Sequence, residues 1–423
     1  MRSAARQLGF PTWVLVYLAA AGSAPLAAQA DTTARPHQAT SYEITLVTSD
    51  TGAHVLAEVQ TGWRLGSAAP VEMDLDSTLR VVRVLVDGKP NTRLSRTMYG
   101  RQGSAVVVPH EKSAGDTLTT RVRYHGIPRG GIRVGPDRTG ARALAGETAG
   151  ARARLWLPVP PGGGGRVSVL WNVQAGKGQR AVANGTLLEV DTLAYDHTTW
   201  HFRLDSPVPL EGLAVAVGPY AVATVGHPGC RSRCTPVTLW TAPEDSAAAL
   251  AGAFGRSGEM MDFFVRYLGA FPYAALAHVA ASFTPSGRPG ASVVLWDEAR
   301  LHSGSIDEDE IARATAAQWL GNAMTESGPL AERPSPAIGA YLAWLWRREG
   351  GTRPRTEALT RDVDSIRRLH QLVGDSTFAL GLRRYVETHR RDTAEPGALA
   401  RAMSAAAGKP VAWSFRSGEG ASR

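Results

Sequence analysis

Alternation of apolar and polar residues is the feature that most restricts how this chain can fold, and it runs from about residue 41 to 225. Successive side chains of a β-strand point to opposite faces, so this period predicts strands with one buried face and one wet face. Turn residues interrupt the pattern at short intervals, which indicates an antiparallel β-sandwich. The expected inward-facing sets are Tyr42, Ile44 and Leu46; Val82, Val84 and Val86; Leu118, Thr120, Val122 and Tyr124; and Trp200, Phe202 and Leu204.

After Pro236, helical periodicity replaces the alternation. Ser305 and Glu308 have the spacing of a capping box, so they predict the start of a helix. The acidic residues around them suit the positive end of a helix, and this interpretation is preferred to a metal-binding acidic patch. The sequence predicts strands over 237–240 and 277–283 and helices over 245–268, 337–348, 360–373, 375–390 and 396–407.

The first thirty residues have the three parts of a secretory signal peptide. Arg2 and Arg6 supply positive charge, residues 8–26 are largely apolar, and Ala28-Gln29-Ala30 is a small-x-small cleavage site. A retained membrane anchor is the alternative, and Pro11 together with the small residues disfavours it. We therefore expect an exported protein, periplasmic or extracellular, with no integral membrane segment once the signal is cleaved.

Two cysteines, Cys230 and Cys234, are the only ones in the chain. A close pair in an exported protein indicates a disulfide more often than half of a metal site, and no histidine pair follows at zinc-finger spacing. The predicted organisation is a signal peptide 1–30, a linker 31–40, a β-sandwich domain 41–225, a cysteine-containing linker 226–236, an α-rich domain 237–416 and a disordered tail 417–423.

The formal net charge is +8, and the basic residues are spread along the chain instead of clustered. Nucleic-acid binders usually show clustered Lys and Arg with interleaved aromatic residues, so nucleic acid is not an expected partner. The run Gly162–Gly165 follows two prolines and has no helix start after it, so it is predicted to be a loop and not a phosphate cradle.

The string Gln318-Trp319-Leu320-Gly321-Asn322 resembles the second half of the helical His-Glu-x-x-His-Gln-Trp-Phe-Gly-Asn motif of the M1 (gluzincin) zinc aminopeptidases. The resemblance extends over about residues 41–416 and implies an N-terminal β-domain followed by a mainly helical, thermolysin-like domain. Its other segments are Trp156-Leu157-Pro158, Asn184-Gly185, Val217-Gly218-Pro219-Tyr220, Phe271-Pro272-Tyr273, the stretch 380–385 and the stretch 407–410.

Counting back from Gln318, the resemblance places Arg313 and Ala317 at the two histidine positions and Ala314 at the general-base position. In the family's motif the two histidines lie four residues apart on one helix face and reach one metal. Alanine offers no ligand atom, and a guanidinium stays protonated and has no lone pair to donate. The resemblance therefore implies a motif without its zinc chemistry.

The third ligand of the family is a glutamate, and its position is held here by Pro336, in a register set by Tyr341. The family's substrate-amine loop has its counterpart at Gly290–Val294, where Val293 stands at the glutamate position. No tyrosine occurs between Tyr341 and Tyr385, the interval in which the family keeps its oxyanion-stabilising tyrosine. No metal and no cofactor are expected.

These observations favour a non-catalytic pseudoenzyme that binds or scaffolds a peptide or another exported protein. Arg313, Gln318 and Tyr341 are the candidate binding residues of the remaining cleft. Arg313 either receives a carboxylate of the ligand, or it pairs with an acidic neighbour or extends into solvent.

Two alternatives stay open. One is a metallo-aminopeptidase or other hydrolase with a rebuilt site that uses Asp297, Glu298, His302 or groups that the sequence does not place. The other is a structural envelope component. His197 and His201 are spaced four apart, but they fall in an alternating segment, where such side chains lie far apart, so they are expected to be solvated strand residues.

Overall fold

The structure is a computed structural model, and it describes residues 37–48, 52–90, 103–225, 235–282, 287–350 and 360–415 of the 423-residue chain. Three predicted features lie outside the described residues: the signal peptide 1–30, the Cys230–Cys234 disulfide and the tail 417–423. Most of the predicted linker 31–40 lies outside them as well.

Strands make up most of the described chain between Gln38 and Gly218, as the alternation predicts. The first strand begins at Gln38, so the last residues of the predicted linker already belong to a sheet. In chain order the strands are β1 (Gln38–Thr48), β2 (Val55–Arg64), β3 (Val71–Asp74), β4 (Arg80–Val86), β5 (Lys89–Pro90), β6 (Ala105–Val108), β7 (Thr117–Gly126), β8 (Ile132–Pro136), β9 (Arg142–Glu147), β10 (Arg166–Ala175), β11 (Arg180–Ala183), β12 (Thr186–Thr192), β13 (Thr198–Pro209) and β14 (Ala214–Gly218).

Eight of these strands form one sheet in the order β12-β13-β10-β1-β2-β7-β4-β5. A four-stranded sheet has the order β11-β14-β9-β8, and β3 pairs with β6. The neighbours pair antiparallel except β1 and β10, which run parallel from Ser41 opposite Ser168 to Leu46 opposite Val173. The prediction of a purely antiparallel arrangement is therefore wrong, because alternation shows which residues face inward but not the direction of the neighbouring strand.

The predicted inward-facing residues of β1, β7 and β13 are buried, except that Trp200 is only partly so. In β4 the prediction is wrong at Val82. The register with β7 shifts between Val81 and Arg83, and Val82 is 56 % exposed. Val81 is buried in its place, whereas Val84 is buried as predicted and Val86 is partly buried against the core. The β-bulge adds one residue, so the inward face changes from odd-numbered to even-numbered positions.

The second half combines a five-stranded sheet with helices. The sheet has the order β15-β16-β17-β19-β18, with β16, β17 and β19 parallel and the two edge strands antiparallel. The strands are β15 (Ala221–Val225), β16 (Val237–Thr241), β17 (Leu276–Ala281), β18 (Arg288–Gly290), β19 (Val293–Asp297), β20 (Thr325–Glu326) and β21 (Thr393–Ala394), and the helices are α1 (Ser246–Ala251), α2 (Ser257–Leu268), α3 (Glu298–His302), α4 (Glu308–Ala316), α5 (Ser335–Glu349), α6 (Arg361–Val373), α7 (Asp375–His389) and α8 (Ala398–Ala407).

The five-stranded sheet spans the predicted domain boundary, since β15 ends at residue 225 and pairs with β16 along its whole length. The two strands predicted after residue 236 are present as β16 and β17, although residue 283 lies outside the described part. Within that part, no helix is both long enough and apolar enough to cross a membrane.

The helix predicted over 245–268 is two helices. α1 ends at Ala251, and Gly252 leaves the helical conformation with φ −93° and ψ −149°. A short 3-10 turn, Ala253–Arg256, leads into α2. A Cβ atom at Gly255 would lie 2.1 Å from the Leu250 carbonyl oxygen, so only glycine fits this break. The remaining predicted helices are found within two residues of their expected bounds.

The capping box predicted at the start of α4 is wrong. Asp307 is the capping residue, and its Oδ1 accepts a hydrogen bond of 2.9 Å from the Glu310 amide. The Ser305 hydroxyl donates instead to the Arg300 carbonyl oxygen. Residue type does not distinguish Ser305 from Asp307 as a cap, because carboxylate and hydroxyl caps are nearly equivalent.

A fully buried histidine lies in the middle of the five-stranded sheet. His278 is on β17, its Nδ1 accepts a hydrogen bond of 3.2 Å from the Trp296 indole, and Phe254 packs edge-on against its ring. Burial removes the imidazolium from water and lowers the pKa of His278 to about 3.

The neutral His278 should make the fold sensitive to acid. An unfolded histidine has a pKa of about 6.5, so between this value and the folded value the unfolded chain binds one more proton. The free energy of unfolding should then decrease as the pH falls, with a slope of up to about 1.4 kcal/mol per pH unit from this group. Urea unfolding at pH 7, 6 and 5 measures the slope.

His278→Asn should reduce that slope, because an uncharged amide takes the place of the titrating ring. Its matched control is His54→Asn, since His54 is exposed. Equal slopes for the wild type and His278→Asn would show that His278 does not stay neutral in the folded chain.

Candidate functional site

The segment that carries the family resemblance begins on α4 and continues past its end. α4 stops at Ala316, so Arg313 and Ala314 are helical, and Gln318 is the second residue beyond the helix. Tight turns follow, in which the Leu320 amide donates to Ala316 and the Asn322 amide donates to Ala317. The motif is therefore only partly on a helix.

Gln318 holds the turn between β18 and β19. Its side chain is fully buried, Nε2 donates to the Gly290 carbonyl oxygen over 3.0 Å, and Oε1 accepts from the Ser292 amide over 2.8 Å. Asn322 Nδ2 donates to the Pro289 carbonyl oxygen over 3.0 Å. The structure thus places Gln318 directly against Gly290–Val294, the segment that the sequence aligned with the family's substrate loop.

The same turn is held from the opposite side by the β-rich half. Asn184 Nδ2 donates to the carbonyl oxygens of Ala291 (2.6 Å) and Gly212 (3.0 Å), and Asn184 Oδ1 accepts from the Ala214 amide (2.6 Å). Ser292 has a left-handed backbone with φ 64°, a conformation that costs free energy in a non-glycine residue and persists only where its surroundings fix it. The two halves of the chain are therefore joined through this turn.

Trp319 fixes the end of α4 against the helical half. It is fully buried, its indole donates to the Ala270 carbonyl oxygen over 3.1 Å, and its ring meets Phe271 edge-on at 5.1 Å. The Phe271-Pro272-Tyr273 segment singled out in the sequence is thus a packing partner of the motif.

A cleft of about 330 Å³ opens above this turn. Two carboxylate residues, Glu147 and Glu211, are in its wall, and no lysine, arginine or histidine is among the residues that line it. Glu147 is buried and pairs with Arg152 over 2.7 Å, whereas Glu211 is exposed. The lining residues are Glu147, Ala149, Pro209, Glu211, Gly212, Leu213, Ala214, Pro289, Gly290, Ala317, Leu320, Gly321, Asn322 and Thr325.

The four residues assigned to the zinc-ligand and general-base positions lie in different surroundings. Ala317 lines the cleft, and Ala314 is buried. Arg313 is exposed and forms an ion pair with Asp309 one turn earlier on α4. Pro336 is exposed in the first turn of α5. Of the four, only Ala317 is in the cleft wall.

Tyr341 lies among the C-terminal helices and does not line the cleft. It is buried, its hydroxyl lies 2.9 Å from His370 Nδ1, and His370 Nε2 lies 2.8 Å from Asp375 Oδ1. Burial raises the pKa of Tyr341 to about 12 and lowers the pKa of His370. The phenol therefore donates to a neutral imidazole, and this array connects α5, α6 and α7.

The residues considered for a rebuilt site are engaged in other contacts, one of which, that of Glu298, joins the two halves. Asp297 caps α3, and Glu298 Oε1 accepts from the Arg138 amide over 2.8 Å. His302 Nδ1 lies 2.7 Å from Asp245 Oδ1, and the same carboxylate group pairs with the Arg138 guanidinium. None of the three proposed residues lines the cleft.

Within the described part of the chain, one set of three histidine, cysteine or acidic residues has ligand atoms close enough to share a metal ion: Glu189, Asp191 and His201. None of them lines the cleft. The sequence alone did not identify this set, because Glu189 and Asp191 come next to His201 only through the pairing of β12 with β13. It did not identify Glu147 and Glu211, because the cleft wall combines segments that are far apart in the chain.

No protein-family model and no curated protein matches the sequence. Among solved structures, the chain is similar to an M1 zinc metallopeptidase from Deinococcus radiodurans, with a TM-score of 0.71 and 18 % identity over 88 % of this chain and 91 % of that chain. It is also similar to a two-domain M1 zinc metallopeptidase mutant bound to L-tryptophan (TM-score 0.69, 18 % identity, 88 % and 91 % covered).

A third similar structure is an M1 zinc metallopeptidase mutant from Deinococcus radiodurans bound to a Tyr-Ser-Ala substrate (TM-score 0.67, 19 % identity, 88 % and 91 % covered). The chain therefore has an M1 peptidase-like fold, with a β-sheet N-terminal region and a helical C-terminal part. This confirms the fold that the Gln318–Asn322 string implies.

The turn at Gly290–Ser292 should depend on the amide of Gln318. Gln318→Ala removes two buried hydrogen bonds and leaves a main-chain carbonyl and a main-chain amide without partners, which should cost about 3 kcal/mol of unfolding free energy. The control Gln371→Ala, on the exposed face of α6, should change it by less than about 0.5 kcal/mol. Urea unfolding measures both, and equal effects would contradict the role given to Gln318.

Proposed function

We propose that this chain is an exported, non-catalytic M1 peptidase-like protein that binds a peptide or a segment of another exported protein in the cleft above the β18–β19 turn. The observation that carries the proposal is the combination of a formed cleft with a wall that offers no set of metal ligands. Ala317, which occupies a histidine position of the motif, is part of that wall.

The donor chemistry supports the loss of zinc. A catalytic zinc ion needs three protein ligands and an open position for water. When the chain is aligned with the family's motif, the ligand positions are occupied by Arg313, Ala317 and Pro336. The side chains of alanine and proline have no ligand atom, and the guanidinium group has no lone pair to donate. We therefore derive no step of peptide hydrolysis through a metal.

The charges of the cleft favour a cationic ligand group. Glu147 is already paired with Arg152, so Glu211 is the carboxylate free to meet an ammonium or guanidinium group of a peptide. The role considered for Arg313, receiving a carboxylate, has no support in its position, because it pairs with Asp309 and is not among the residues that line the cleft.

Hydrolysis of fluorogenic aminoacyl and peptide substrates tests the absence of catalysis. We expect no turnover with or without added Zn²⁺, and no effect of a chelator. Turnover that a chelator abolishes would contradict the proposal and favour a hydrolase with a rebuilt site.

A triple variant tests the register itself. Arg313→His, Ala317→His and Pro336→Glu together should add one bound zinc per chain to whatever the parent binds, because they restore three ligands at the inferred positions. A folded variant, verified by circular dichroism, that gains no zinc would contradict the register.

Binding of short fluorescent peptides tests the ligand class. A peptide with a free amino terminus and basic side chains should bind more tightly than an acidic peptide of the same length. Glu211→Gln should weaken binding of the basic peptide, because it removes the exposed carboxylate of the cleft. The control Glu387→Gln, an exposed acid on α7, should leave binding unchanged. Equal binding of both peptides, or of neither, would contradict the assignment.

A further inference from the structure

The edge of the eight-stranded sheet carries a group of metal-ligating side chains that the cleft does not use. β12 is the edge strand, and all seven of its residues are exposed. Glu189 and Asp191 lie on β12, and His201 lies on the neighbouring β13. One ligand atom from each residue lies within 4.8 Å of the other two.

A β-bulge brings these three residues to the same face. The pairing of β12 with β13 shifts between Leu187 and Glu189, so Glu189 lies opposite His201. Directly opposite residues share a face of a sheet, and so do residues two apart, which adds Asp191. Without the extra residue, Leu188 would lie opposite His201, and the carboxylates would point to the other face.

The imidazole of His201 is held in one orientation by a row of polar residues across the sheet. Its Nδ1 lies 2.7 Å from Asn172 Oδ1 on β10, and Asn172 Nδ2 donates to Thr45 Oγ1 on β1 over 3.3 Å. Because Asn172 presents its carbonyl oxygen, His201 carries a hydrogen on Nδ1. An outer hydrogen bond of this kind is what orients histidine ligands in metal sites.

The other ring nitrogen of His201 lies next to the Asp191 carboxylate. Nε2 is inaccessible to solvent, makes no hydrogen bond, and lies 3.3 Å from Asp191 Oδ2. Because the ring hydrogen is on Nδ1, Nε2 directs a lone pair at the negatively charged Asp191 oxygen. The two repel each other unless a positive charge lies between them. Either a second proton on the ring or a metal ion supplies it.

We propose that Glu189, Asp191 and His201 bind a divalent transition-metal ion such as Zn²⁺, with Asn172 as the positioning residue. One imidazole nitrogen and two carboxylate oxygens suit Zn²⁺, whereas Mg²⁺ and Ca²⁺ prefer oxygen ligands alone. The two carboxylates balance the charge of the ion. Three protein ligands leave one tetrahedral position open, and the exposed edge strand lets water or a donor from another molecule fill it.

Metal titration of the full chain, without a histidine tag and stripped with a chelator, tests the site. We expect one Zn²⁺ per chain by competition with a chromophoric chelator, and Co²⁺ should give the visible absorption of a tetrahedral complex. His201→Gln should abolish both signals, and Glu189→Gln and Asp191→Asn should each weaken binding at least tenfold.

Controls separate a built site from general surface binding. Asp205→Asn, an exposed acid on the same β13 strand, and His125→Gln, an exposed histidine on β7, should leave the affinity unchanged. Asn172→Ala should weaken binding roughly 10- to 100-fold, and Asn172→Asp, which keeps an acceptor for Nδ1–H, should retain most of it.

The proposal is overturned if the wild type binds no Zn²⁺, or if His201→Gln binds it as tightly as the wild type does. In the first case the cluster is an ion pair between a protonated His201 and Asp191. This test does not depend on the function proposed for the cleft. None of the three metal-binding residues lines the cleft, and the variants that test them lie on β12 and β13.

Discussion

Three buried side-chain amides determine how the two halves of this protein meet. Gln318 and Asn322 approach the β18–β19 turn from the helical half, and Asn184 approaches it from the β-rich half. The main-chain groups of this turn are shielded from water and must find partners inside the protein. The amides supply those partners, and the floor of the cleft, the end of α4 and the contact between the sheets all depend on them.

The motif residues that stabilise the fold are different from those at the metal-ligand positions. Gln318 and Trp319 act on main-chain atoms and on aromatic packing, so their roles need no metal. Ala317, one residue away, is in the cleft wall and contributes only a methyl group. The shape of an M1 peptidase therefore does not by itself define what the cleft does, because function belongs to the site and not to the fold.

The sequence predicted the parts of the structure that depend on local periodicity and failed where one residue changes the outcome. Inward-facing residues of β1 and β7 followed from alternation, but the bulge at Val82 reversed one face of β4. Gly252 divided a helix that periodicity treats as continuous. The chain spacing relates His201 to His197. Its neighbours in the structure are Asn172 and Glu189, which lie on other strands and come close to His201 only through sheet pairing.

β15 belongs to the sheet of the second half although it precedes the predicted linker in the chain. A fragment that began after this linker would lose an edge strand and expose the hydrogen-bonding groups of β16 along its length. Such an open edge favours pairing with other chains, and hence aggregation. During synthesis, the second half therefore needs a strand that has already been made. For the same reason, the two halves should not be separated by truncation, expressed as fragments or exchanged as independent domains.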